Sequence, residues 1–174
     1  MQIPRYNLPV IILTFVLTLG ILLGGRWAYQ EFGVIGPLQK KLAEVPSVKE
    51  ATVVPKETDT VIQIELGQVE SLQTSYREIT KLLPKQEGFS LEIRDQRNPY
   101  LFRLWRENRL VLEEAAVLGN LTEMQALLEH NLGQSQLDSW LLEADRENLY
   151  LQFHAGDHYL YEIIPRYHPN INEP

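Results

Sequence analysis

The sequence predicts an α+β domain carried behind one apolar N-terminal helix, and three observations predict it. Residues 8–25, LPVIILTFVLTLGILLGG, form an unbroken uncharged run. From Thr60 onwards the apolar pattern switches between a period of two and a period of three to four. The resulting order, β-α-β-α-α-β-β-β, favours helices packed on one face of a mainly antiparallel sheet.

As a helix, residues 8–25 span roughly 27 Å, close to the hydrocarbon thickness of a bilayer. Arg5 and Tyr6 precede the run and Arg26, Trp27, Tyr29 and Phe32 follow it, as interfacial anchors do. A cleaved signal peptide would need small residues before the cut, where Leu23 stands and no A-x-A follows. The expectation is a single-pass signal anchor in the lipid bilayer of a cell membrane. A short tail, 1–7, lies inside, and the domain is extracytoplasmic. Gly33, Gly36, Pro37, Pro46 and Pro55 then break up regular structure, so residues 26–59 read as a juxtamembrane segment and linker.

The domain is expected over 60–166. Ile62, Ile64 and Leu66 alternate with polar residues, which marks a strand; Val69, Leu72, Tyr76, Ile79 and Leu83 share a helical face. Phe89, Leu91 and Ile93 make a second strand. Pro99 opens a helix through Leu101, Leu104, Trp105, Leu112, Ala115 and Leu118, although residues 100–105 also fit a strand. Gly119 ends it, and Asn120 with Glu123 reads as a reciprocal cap for the next helix. Trp140, Leu142 and Ala144 begin a strand meander. Its next stretch, ENLYLQF, resembles a protease recognition sequence, yet its alternation matches the strand that follows, so it belongs to the fold. Residues 167–174 read as a flexible tail.

The net charge of -7, with no run of basic residues, repels a phosphate backbone, so no nucleic-acid partner is expected. The chain has no cysteine, which removes thiol nucleophiles, disulfides and thiolate metal sites. No serine elbow, phosphate-binding glycine loop or H-E-x-x-H helix is present. No catalytic residue and no cofactor is therefore assigned.

Two clusters remain. A three-residue connection, Ala155-Gly156-Asp157, would place Phe153 opposite Tyr159, Leu151 opposite Tyr161 and Leu149 opposite Ile163 on one apolar face. His154 would then face His158 across the strands, with Asp157 beside them, as candidate metal ligands. Arg94, Asp95 and Arg97 at a strand end form a candidate fork for a carboxylate or phosphate. Tyr150, off the apolar face, and Tyr159 and Tyr161, on the last strand, are candidate interaction residues. The function expected is a non-catalytic, membrane-anchored domain for protein–protein interaction or self-association. The alternatives are an extracytoplasmic ligand- or metal-binding sensor working through a partner, and a membrane-tethered hydrolase.

Overall fold

A computed structural model describes residues 8–28, 35–56, 59–84 and 88–167. The chain divides into two compact units, Met1–Lys41 and Leu42–Pro174.

The first unit contains α1 (Leu8–Ala28) and most of α2 (Gly36–Ala43). Helix α1 has 21 residues, and Ile12, Leu13, Phe15, Val16, Leu17, Leu19, Ile21, Leu22 and Leu23 are all exposed on it. Among the described residues no helix is long and apolar enough to cross a membrane. The side chains described on α1 are those of Pro9 and residues 12–24, fewer than the roughly 20 that a span takes. The expected span over 8–25 therefore gains no support here and stands on the sequence. Its flanking anchors Arg5, Tyr6, Tyr29 and Phe32 lie outside the described residues.

The second unit is α+β, built on two three-stranded sheets. In the first, β2 (Thr60–Leu66) pairs antiparallel with β1 (Val48–Pro55) and parallel with β3 (Phe89–Arg94). Helix α3 (Leu72–Leu82) forms the crossover between β2 and β3. Strand β1 lies within the segment read as linker, so the fold begins before residue 60. Its inward positions are Ala51 and Val53, too small and too few to mark a strand, and Pro55 sits at its end, where a missing N–H is tolerated.

The second sheet is the antiparallel meander β4 (Ser139–Ala144), β5 (Asn148–Ala155) and β6 (His158–Pro165). Helices α4 (Pro99–Leu118) and α5 (Leu121–Leu132) pack on one face of it, with Leu104, Trp105, Leu112, Met124 and Leu128 closing over Leu149, Leu151, Phe153 and Leu160. Helix α3 packs on the other face, where Tyr76 meets the Tyr150 ring at 5.6 Å between centroids. Helices thus cover both faces, not one. The expected helix over 100–105 is observed, with Asn98 capping Leu101 N and Gly119 (φ 75°) ending it. The reciprocal cap at Asn120 is not: that residue makes no side-chain cap, and its amide instead donates to Glu123 at 3.2 Å. Following a left-handed glycine in a two-residue connection, it never reaches the extended backbone that capping needs.

The β5–β6 register also corrects the sequence reading. Gly156 and Asp157 alone make the turn, with Gly156 at φ 60°, as the first position of a type II′ turn requires. Phe153 therefore pairs with Leu160, Leu151 with Glu162 and Leu149 with Ile164. Grouping every apolar residue on one face presumed a wet second face, and β5 has none. Tyr150 and Gln152 are as buried as Leu149 and Leu151.

Candidate functional site

Polar groups between the sheets define what the unit can present outward. The loop between β2 and α3 is fastened to the meander by side chains. Tyr159 donates its hydroxyl to Leu66 O at 2.8 Å and accepts from Lys49 Nζ at 2.8 Å. That hydrogen bond holds the Lys49 ammonium above its usual pKa. Tyr161 donates to Gly67 O at 2.8 Å and accepts from Val69 N at 3.0 Å; burial pushes its phenol well above the usual value. Gln152 accepts from Leu72 N at 2.8 Å and donates to the carbonyls of Val69 and Glu70. Glu143 accepts from Gln73 N, Ser71 Oγ from Thr74 N, and Ser71 O from Ser75 N. The N–H groups of the first helical turn, Leu72, Gln73 and Thr74, are thus satisfied, two of them by the meander, and the Ser75 bond to Ser71 O begins the helix's own ladder.

This settles where the aromatic candidates stand. Tyr150, Tyr159 and Tyr161 are 1%, 1% and 3% exposed, so none offers a contact surface, and their side chains join the chain to itself. Nor is the edge of β6 open for strand addition over its first half. Tyr159 bridges to Gln96, and Asp95 accepts from Tyr161 N at 2.7 Å. Arg97 grips that carboxylate through Nε at 2.8 Å and Nη2 at 2.7 Å, and reaches Glu162 at 2.7 Å. Burial works against the Arg97 charge, but Asp95 and Glu162 outweigh it and raise its pKa. The expected anion fork is thus an internal clamp. Arg94 stands apart from it, exposed, 3.7 Å from Glu92.

The histidine hairpin does not converge. His154 pairs with Tyr159 and His158 with Ala155, so the two imidazoles leave opposite faces. Among the described residues no group of three His, Cys, Asp or Glu can hold a metal ion. His154 lies beside Tyr159 and Tyr161, lines a hollow with Gln68, Glu70, Ser139 and Gln152, and has a buried, unpartnered Nε2. Burial lowers its pKa from 6.5, and Asp138 pulls it partly back. The unfolded chain therefore takes the proton first, and stability present above pH 6.5 is lost as pH falls through the folded value. Glu162, raised by burial, acts with the opposite sign, so the difference between wild type and His154→Gln isolates the histidine. Between pH 7 and pH 5 the thermal midpoint is expected to fall further in the wild type than in His154→Gln. Equal pH slopes would refute it.

Two features do face outward. One is a groove of about 770 Å³ lined by Tyr76, Arg77, Leu121, Asp145, Tyr150 and Arg166, among others. Burial pushes the Asp145 carboxyl up, but donors from Asn148 N, Glu147 N, Tyr150 and Arg77 overcome this and hold it below its usual range. Burial, with Asp145 nearby, pushes the Tyr150 phenol up to about 12. Arg166 Nε lies buried there without a partner. The other feature is the outer side of α4, where Phe102, Leu110, Val117 and Leu118 are 44%, 77%, 57% and 65% exposed. The inward stripe hid Phe102, Leu110 and Val117 in the sequence, because they fall between its members; Leu118, expected on that stripe, instead stands exposed at the end of the helix. Compared with family models, curated proteins and solved structures, the chain matches none. The functional reading therefore rests on these two surfaces and on the sequence.

Proposed function

We propose that the chain is a single-pass membrane protein whose α+β unit engages protein surfaces and carries out no chemistry of its own. The apolar run 8–25 serves as anchor, with the N-terminus inside and the unit extracytoplasmic. The observation that carries the interaction reading is the outer side of α4: a regular helix, firmly packed on its inner side, keeps Phe102, Leu110, Val117 and Leu118 in water. Solvating such a stripe is unfavourable unless something covers it. Tethering supports the reading further, since confinement at a surface raises the effective concentration of partners and lets a modest contact be occupied.

The test uses the full chain. Membranes from producing cells are washed with alkaline carbonate, and the retained protein is released from detergent micelles for native mass spectrometry. Retention in the membrane is expected, followed by an assembly of two or more chains. Release by the wash would refute the anchor. A monomer carrying a small-molecule mass would favour the sensor reading instead, for which the arginine-lined groove is the one supporting observation.

A further inference from the structure

We infer that the outer face of α4 pairs with the same face of a second copy, the two helices running antiparallel about a two-fold axis between Arg109 and Leu110. This rests on the assembly reading above and names its partner. At 100° per residue, Phe102, Arg106, Arg109, Leu110, Glu113 and Val117 fall on one stripe of the helix. The buried residues Leu101, Leu104, Leu112 and Ala115 lie on the opposite side.

Along this stripe the charge reverses from end to end. Arg106 and Arg109 occupy the first half and Glu113 the second; beside the stripe Arg103 and Glu114 keep the same order, and Glu107 is the exception. Such a pattern is complementary to its own reverse. Turned about a point between residues 109 and 110, Phe102 meets Val117 of the second copy, Arg106 meets Glu113, and Leu110 lies against Arg109. Each contact occurs twice, as an isologous interface demands.

The charges within the monomer leave room for this pairing. Glu113 accepts from Arg109 at 2.6 Å, with both side chains still about half exposed. Among the described residues Arg106 has no carboxylate partner, and its guanidinium lies over the Phe102 ring at 6.0 Å. Pairing supplies Arg106 with a carboxylate and closes a network of Arg106, Glu113 and Arg109 across the axis. Two helices of this length bury less than a standard protein interface, so the contact relies on confinement in one membrane.

The absence of cysteine makes the test direct. Full-length chains with one introduced cysteine each are oxidised mildly in membranes. Leu110→Cys is expected to yield covalent dimers. Phe102→Cys and Val117→Cys are expected to cross-link when mixed and not when alone. All three positions are exposed, so folding is not at stake. In the Leu110→Cys background, Arg106→Glu should cut the dimer yield about fivefold or more, as like charges replace two ion pairs, and adding Glu113→Arg should restore it. Assemblies seen by native mass spectrometry without these cross-links would overturn the α4 pairing and leave the assembly reading standing. A chain that is monomeric in the membrane would overturn both.

Discussion

Replacing Gln152 by leucine is expected to destabilise the folded unit by about 3 kcal/mol, although leucine is the more apolar residue and the site is buried. The loss lies in what the amide touches. Leu72 N would be left as a buried donor without an acceptor, and the carbonyls of Val69 and Glu70 would lose their shared donor. An unsatisfied buried amide costs about 1–3 kcal/mol, and the better burial of leucine recovers only part of that. Urea unfolding of a chain starting at Leu42 measures it. Gln125→Leu, at an exposed position on α5, is the control and should stay within about 0.5 kcal/mol. A Gln152→Leu loss below about 1 kcal/mol would mean that the loop is not held as described.

Asp95→Ala is expected to cost about 2–3 kcal/mol and also to change behaviour with concentration. The carboxylate, 3% exposed, accepts from the Arg97 fork and from Tyr161 N. Without it, Tyr161 N has no acceptor and Glu162 loses an oriented guanidinium. Arg97 is 32% exposed, so water recovers part of its loss, which keeps the figure below that of a fully buried pair. The first half of β6 would then present an unpaired edge, a template for strand addition between molecules. Unfolding midpoints give the first effect and light scattering on a dilution series gives the second. A variant as stable as wild type that scatters equally at all concentrations would refute the clamp.

Much of the fold is legible in the chain. The order of elements from Thr60, the Pro99 start and Gly119 stop of α4, and the strand at ENLYLQF follow from period and turn chemistry alone. Three things were not, each for a physical reason. Strand β1 escaped because Ala51 and Val53 barely mark a buried face. The β5–β6 register escaped because alternation reports a face only where one side is wet, and β5 is covered on both. The tyrosines misled for the same reason: a phenol suits an exposed interface and a buried hydrogen bond equally well, and only the carbonyls of Leu66 and Gly67, far away in sequence, decide between them. For the candidate surfaces, the outward stripe of α4 was readable in principle as the complement of its inward one. The groove was not, since it gathers residues from α3, the β4–β5 turn and the end of β6.

The fastening of the β2–α3 loop by Tyr159 and Tyr161 has a consequence for the order of events in synthesis. Its hydrogen bonds join residues 92 to 94 positions apart. The loop emerges from the ribosome long before the strand that secures it, so the first sheet must wait, open, until the last strand has been made. Closure over such a separation is a late and slow step. A nascent chain therefore leaves this loop unsecured until Tyr159 and Tyr161, in the first half of β6, have been made, and these two residues act as its latch.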